Sequence, residues 1–217
     1  IIDCVTSIGA CNVPVDDWEL DIVASGSQKG YMIPPGLSFV SMSEKAWQAS
    51  ENSNLPKFYL NLKSYKKSLL SNSNPYTPAV NLVFALDESL KMMKDEGLDK
   101  IFKRHERHKL AVSEAVKTLN LKLFADENHL SPAVTAIQIE DIDAEQFRKT
   151  IKNKYDILLA GGQDHLKGKI FRVGHLGYIN DRDIIAVIAA IGNTLVDQNM
   201  ISTEKAGEAL KIASSHL

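Results

Sequence analysis

The chain has 217 residues, of which 44% are hydrophobic and 24% are charged, as is typical of a globular protein with a substantial core. Its 25 basic and 27 acidic residues give a net charge of −2, so no excess of positive charge favours a nucleic acid as partner. No apolar run reaches the roughly 18 residues of a membrane-spanning helix. The two cysteines, Cys4 and Cys11, favour reduced thiols in a cytoplasmic setting.

Residues 1–6, 21–25 and 37–42 are predicted to form strands, the first two of them buried. Asp3 lies in the first strand, and Lys29 follows the second. If these strands are parallel neighbours, both side chains lie at the same end of the sheet. A lysine there can form a Schiff base, and a carboxylate can keep a pyridine nitrogen protonated, which is the pair that pyridoxal phosphate needs. Alternatively, Lys29 is a solvated loop residue and Asp3 caps its strand.

The middle of the chain is predicted to be polar and helical. Segment 52–74 mixes lysines with aromatic residues, and we interpret it as a solvated surface rather than a polyanion site. Pro78 is typical of a helix start, and a further helix is predicted from 98 to about 120. His105 and His108 on that helix are predicted to face solvent rather than to hold a metal, because no acid or cysteine set completes a site.

Beyond residue 121 the pattern changes to α+β. Strands are predicted at 121–124, 134–139, 157–160 and 169–174, and helices at 143–154, from Asn180 and from Ser202. Arg172 lies in the last, otherwise apolar strand, where a guanidinium needs a partner. Its planar fork suits the carboxylate of a substrate, although a structural pair with an aspartate is an alternative. His175, just past this strand, is predicted to be a packing residue.

Several motifs occur in a fixed order along the chain. They are Asp3-Cys4-Val5-Thr6-Ser7-Ile8-Gly9, Val15-Asp16-Asp17-Trp18, Gly26-Ser27-Gln28-Lys29-Gly30, Pro34-Pro35-Gly36-Leu37 and Phe171-Arg172-Val173-Gly174-His175-Leu176-Gly177. Together they resemble the fold-type I, class V aminotransferases, and in particular the branch of alanine–glyoxylate and serine–glyoxylate (serine–pyruvate) aminotransferases. The resemblance extends over almost the whole chain.

The resemblance implies an α/β fold. Residues 1–96 would form the C-terminal part of the large domain that binds pyridoxal phosphate, and residues 97–217 a small α+β C-terminal domain. It implies transfer of an amino group from a small amino acid, alanine or serine, to a 2-oxo acid such as glyoxylate or pyruvate. It also implies a cytoplasmic homodimer with shared active sites, without a metal, and a chain that is the C-terminal part of a longer enzyme.

The resemblance also implies roles for individual residues. Lys29 would hold pyridoxal 5'-phosphate as a Schiff base and act as catalytic base and acid. Asp3 would stabilise the protonated ring nitrogen. Gln28 and Thr77 would bind the phosphate, with Thr77 contributed by the neighbouring subunit, unless Thr77 simply caps a helix. Arg172 would bind the carboxylate of the substrate.

Two alternatives stay open. A lyase or cysteine desulfurase usually has a histidine just before the lysine and a mobile cysteine loop. Here Gln28 precedes the lysine, and no cysteine follows Cys11. The other alternative is a non-catalytic subunit or an inert fragment of such an enzyme.

Overall fold

The computed structural model describes residues 1–217, and its contacts separate the chain into two units. The first unit comprises Ile1–Ile8 and Val13–Asp95, and the second comprises Gly9–Asn12 and Glu96–Leu217. That these units correspond to part of a cofactor-binding large domain and to a small C-terminal domain stays a prediction.

The first unit is built on a three-stranded sheet in the order β1-β2-β3. Strand β1 (Ile2–Asp3) runs parallel to β2 (Ile22–Gly26), and β3 (Ser38–Met42) runs antiparallel to β2. Asp3 pairs with Ala24 in this register. Because β1 and β2 are parallel, their carboxyl ends lie at the same edge of the sheet, as the sequence predicts.

Three helices follow in the first unit: α1 (Glu44–Glu51), α2 (Leu62–Leu69) and α3 (Val80–Glu96). Helix α1 begins after Ser43, whose Oγ accepts a hydrogen bond from the backbone N–H of Ala46 at 3.1 Å. Helix α3 begins two residues after Pro78, close to the predicted helix start.

The second unit is a four-stranded antiparallel sheet with four helices. The strands lie in the order β4 (Lys122–Leu123), β5 (Val134–Gln138), β7 (Ile170–Gly174) and β6 (Ala160–Gly161). The helices are α4 (Leu98–Thr118), α5 (Ala144–Tyr155), α6 (Asp181–Asp197) and α7 (Thr203–Ser215). The predicted α+β pattern of this part is confirmed.

One face of this sheet forms the core of the second unit. Ile137 of β5 and Phe171 and Val173 of β7 are buried on this face, and the Phe171 ring lies 5.2 Å from the ring of Phe147 on α5. Arg172 belongs to the opposite face, because side chains alternate along a strand. The core therefore fixes the strand that carries Arg172 without burying the guanidinium in it.

Helix α6 begins with a capping box at Asn180, where the sequence predicts a helix start. The Asn180 side chain accepts from the N–H of Asp183, and the Asp183 carboxylate accepts from the N–H of Asn180 at 2.9 Å. The apolar face of this helix is largely buried, with Ile184, Ile188 and Ile191 at most 1% exposed.

The prediction that His105 and His108 face solvent is wrong, since both side chains are fully buried. They share one face of α4 with Ile101 and Val112, at the spacing of a helical stripe, and α6 and α7 pack against this helix. Because basic residues surround these two histidines in the sequence, their position on a buried helix face is not apparent from the local pattern. No three His, Cys, Asp or Glu side chains in the chain are grouped as a metal site requires.

Three predicted strands are shorter than expected. Strands β1, β4 and β6 comprise two residues each, and each lies at an edge of its sheet. After Asp3 the chain turns, with the N–H of Ile8 donating to the carbonyl of Cys4 at 3.1 Å. None of the helices combines the length and apolar character needed to cross a membrane.

Candidate functional site

The first two predicted site residues lie at or just past the carboxyl edge of the parallel pair β1 and β2. Asp3 is the last residue of β1, and Lys29 lies three residues past Gly26, the last residue of β2. The pairing continues just beyond β1, where the N–H of Cys4 donates to the carbonyl of Ala24 at 2.8 Å. The carboxylate and the lysine turn therefore belong to one edge of one sheet.

The turn that carries Lys29 is built around Ser27, which is fully buried. Its Oγ donates to the carbonyl of Pro34 at 2.8 Å and accepts from the N–H of Leu37 at 3.1 Å. Within the turn, the N–H of Met32 donates to the carbonyl of Lys29 at 2.9 Å. These bonds fix the backbone of Lys29, so its amine projects from a defined position.

The side chain of Gln28 lies against Gly26, the last residue of β2. A Cβ at position 26 would lie 2.9 Å from Oε1 of Gln28, the end of a flexible side chain that would have to shift. Gln28 is exposed and Lys29 is half-buried. The motif Gly26-Ser27-Gln28-Lys29 thus combines a buried serine that anchors the turn with an exposed and a half-buried polar side chain.

Neither Asp3 nor Lys29 is used in an ion pair within the chain. Oδ1 of Asp3 accepts from the N–H of Val5 at 2.9 Å, so the strand-end cap considered as an alternative is present. The carboxylate is nevertheless exposed, which leaves it accessible to a further partner. Cys4, the next residue, is 2% exposed and packs as a core residue.

Sequence reasoning missed two supports of the lysine turn. The hydroxyl of Ser89 on α3 donates to the carbonyl of Tyr31, and the Tyr31 ring lies 4.5 Å from the ring of Phe39. Partial burial raises the pKa of Tyr31, and a hydrogen bond with Ser25 opposes this effect. Ser89 lies 58 residues from Tyr31, and no local pattern in the sequence signals such a contact.

Thr77 makes no hydrogen bond with the residues of the lysine turn. It is exposed in the loop before α3 and forms no hydrogen bond with Asp3, Gln28 or Lys29. The neighbouring Tyr76 hydroxyl donates to the carbonyl of Phe58 at 3.0 Å. The ring of Tyr76 also packs against three other aromatic rings, those of Phe58, Tyr59 and Tyr65. This cluster orders the loop and leaves the Thr77 hydroxyl open to solvent.

Arg172 belongs to the second unit. It lies in β7 between Ala136 of β5 and Ala160 of β6, and its Nε donates to the carbonyl of Gly161 at 3.0 Å. None of the ion pairs in the chain includes Arg172, so the structural aspartate pair considered as an alternative does not form. One hydrogen bond orients the guanidinium while no carboxylate of the chain neutralises it, which leaves the group suited to an external anion.

Comparison with known proteins places these residues in a family. The model of the class-V aminotransferase family matches residues 1–176. The "soluble hydrogenase, small subunit" of Synechococcus sp. (strain PCC 6716) is 54% identical over 91% of this chain and 51% of its own length. The serine–glyoxylate aminotransferase of Methylorubrum extorquens is 34% identical over the whole of this chain and 55% of its own length.

A solved structure agrees with these relatives. The ureidoglycine–glyoxylate aminotransferase of Bacillus subtilis superposes with a TM-score of 0.90 at 30% identity, over 98% of this chain and 57% of that one. The chain thus spans about half the length of the relatives it matches. The mixed α/β fold, the matched residues and these relatives agree, and the chain belongs to the class-V aminotransferase family.

Proposed function

We propose that the chain carries the cofactor lysine and the substrate-binding arginine of a pyridoxal-phosphate-dependent aminotransferase. The enzyme would move an amino group from a small amino acid, such as alanine or serine, to a 2-oxo acid such as glyoxylate or pyruvate. The main support is the parallel pairing of β1 with β2, which brings Asp3 and the turn of Lys29 to one sheet edge. The names of two relatives, both glyoxylate aminotransferases, support the choice of acceptor.

The groups at this edge fit pyridoxal phosphate. The exposed carboxylate of Asp3 suits a pyridinium, the half-buried amine of Lys29 suits an aldehyde, and the exposed amide of Gln28 suits a phosphate. Neither Asp3 nor Lys29 is used in an ion pair within the chain. When bound, the cofactor supplies an electron-withdrawing ring that stabilises negative charge at the Cα of the substrate.

The residues of the first unit have distinct proposed roles. The carboxylate of Asp3 keeps the proton on the ring nitrogen, because an opposite charge nearby favours the protonated form. Nζ of Lys29 binds the cofactor and moves the proton at the substrate Cα as base and acid. The amide of Gln28 and the hydroxyl of Thr77 bind phosphate oxygens.

Arg172 binds the carboxylate of the substrate through its planar fork in this proposal. Two parallel hydrogen bonds would fix the direction of the substrate as well as its position. The absence of a carboxylate partner within the chain supports this assignment, because a guanidinium in a sheet is otherwise paired.

The proposed assembly is a homodimer with shared active sites. The open Thr77 hydroxyl, on a loop ordered by aromatic packing, is the group that we assign to the site of the second copy. We also propose a cytoplasmic setting, because the chain has only two cysteines and Cys4 is a buried thiol outside any disulfide.

A half-reaction screen tests this function. The full-length protein loaded with pyridoxal phosphate is mixed with one amino acid at a time, and the change in visible absorbance is recorded. Alanine or serine should convert the cofactor to its amino form, and glyoxylate or pyruvate should restore it. Lys29→Ala should abolish both changes, whereas the exposed control Lys94→Ala should keep them. If the wild-type protein binds the cofactor but no amino acid changes its absorbance, the aminotransferase proposal fails.

A further inference from the structure

The connection from β7 to α6 is held by two consecutive side chains of α4. The N–H of Gly177 donates to Nε2 of His105 at 3.1 Å, and the carbonyl of Gly177 accepts from Nη1 of Arg104 at 2.8 Å. The same Nη1 also donates to the carbonyl of Ile179 at 3.1 Å. Gly177 has a φ of +82°, a left-handed conformation that favours glycine. Both polar backbone atoms of this residue are thus fixed by one helix.

The partners of His105 determine its protonation state. Its Nδ1 lies 2.8 Å from the carbonyl of Ile101, which can only accept, while Nε2 faces the N–H of Gly177, which can only donate. The ring is fully buried, so water cannot replace either partner. The neutral ring with its proton on Nδ1 therefore satisfies both bonds, and a protonated ring would place two N–H groups against each other.

The same connection is also anchored where it leaves β7. His175 donates from its backbone N–H to the carbonyl of Ala133 at 3.0 Å, and its ring lies 2.9 Å from both the carbonyl of Pro132 and Oγ1 of Thr135. His175 follows Arg172 by three residues. The strand end that carries Arg172 is therefore fixed at His175 and, two residues later, at Gly177.

The charged groups around His105 oppose its protonation on balance. Burial lowers the pKa of His105, and the charges of Arg104 and His108 lower it further. The carbonyl of Ile101 and the carboxylate of Glu96 act in the other direction, but Glu96 is already bound to Arg104 at 2.7 Å. Asp181, at the start of α6, is held by His108 at 2.8 Å.

We infer that His105 is a positioning residue for the carboxylate of the substrate: its neutral ring fixes Gly177, and the fixed connection holds β7 and Arg172 in the orientation that binds the carboxylate. This inference rests on the proposed role of Arg172. Loss of the acceptor at position 105 leaves the N–H of Gly177 unpaired in the core and loosens the connection. Binding of the carboxylate should then suffer more than the proton transfer at Lys29, which belongs to another part of the chain.

Two substitutions at position 105 separate positioning from folding. His105→Leu removes the acceptor, whereas Oε1 of His105→Gln can still accept from Gly177 and cannot be protonated. In the full-length, cofactor-loaded protein, His105→Leu should raise KM for the 2-oxo acid about tenfold or more, with a much smaller change in kcat. His105→Gln should restore KM and abolish any rise of KM that the wild type shows on acidification. His129→Leu, at a side chain that is 81% exposed, serves as the control.

Hydrogen exchange gives a readout that does not depend on turnover. The peptide covering residues 174–180 should exchange faster in His105→Leu than in His105→Gln or His129→Leu. Equal exchange and equal KM in all three variants would overturn the inference. It would also be overturned if His105→Leu lowered kcat and stability to the same extent as it raised KM.

The KM of Arg172→Lys separates the two proposals. If it is unchanged, both the carboxylate assignment and this inference fail. If it rises while His105→Leu has no effect, only the inference fails.

Discussion

Arg172 presents a charged fork on a sheet face without a carboxylate partner of its own. Arg172→Lys keeps the positive charge but loses the second parallel hydrogen bond, so substrate binding should weaken by about 1.5–3 kcal/mol. The measurement is kcat/KM for the 2-oxo acid. A variant with unchanged kcat/KM would show that the guanidinium does not contact the substrate.

Asp3 is tested by a substitution that keeps its local hydrogen bond. The side-chain oxygen of Asp3→Asn can still accept from the N–H of Val5, so the turn after β1 should persist. The loss of negative charge should leave the ring nitrogen of the cofactor unprotonated and lower kcat by about 100-fold or more. Steady-state kinetics measure this effect, and the melting temperature is the control. A large fall in stability with kcat intact would instead indicate a purely structural Asp3.

The turn around Ser27 is an element with a defined stabilising group. Ser27→Ala removes one acceptor and one donor from a buried position and leaves the N–H of Leu37 unpaired, at a cost of about 1–3 kcal/mol. We expect a lower denaturation midpoint and weaker cofactor binding, because the backbone of Lys29 loses its anchor. Ser41→Ala, at an exposed position of β3, is the matched control. Equal cofactor affinity in both variants would contradict a role of Ser27 in the site.

His175, the residue after β7, should make the stability of the fold depend on pH. Burial is the main reason that the pKa of His175 falls from 6.5 to about 4. The unfolded chain therefore binds a proton between these values that the folded chain does not, so stability falls as pH decreases from about 6.5 to about 4, by roughly 3 kcal/mol in all. The neutral His175 ring contributes fully to stability above the pKa that it has in the unfolded chain.

Urea denaturation at several pH values measures this effect. The wild type should lose more stability on acidification than His175→Gln, which has no ring to protonate. Parallel pH dependence in the two proteins would show that His175 does not remain neutral in the folded state.

The sequence predicts elements where a local pattern carries the information. Val23 and its apolar neighbours identify β2, Asn180 identifies the start of α6, and the position of Asp3 in a strand before Lys29 predicts their common sheet edge. The sequence does not predict contacts between residues that are far apart along the chain. The burial of His105 depends on helices that follow it by more than 70 residues, and the contact of Ser89 with Tyr31 depends on the fold around β2. Side chains such as Ser27 look like ordinary turn residues until their acceptors are known.

At the scale of the whole molecule, the shared active site predicts complementation between copies. A Thr77→Val chain and a Lys29→Ala chain should each be weakly active or inactive alone. In mixed dimers, one site would combine an intact Lys29 from one copy with an intact Thr77 from the other, so activity should return to at most about half of the wild-type level. Co-expression with two affinity tags yields the mixed dimer for assay. No recovery in a verified mixed dimer would contradict a site shared through Thr77.

Covalent trapping tests whether Lys29 holds the cofactor. The full-length protein is incubated with pyridoxal phosphate, reduced with borohydride, digested and examined by mass spectrometry. We predict a pyridoxyl phosphate adduct on the peptide that contains Lys29 and none on other lysines. Attachment at a different lysine, or no adduct in a folded protein at saturating cofactor, would contradict the account.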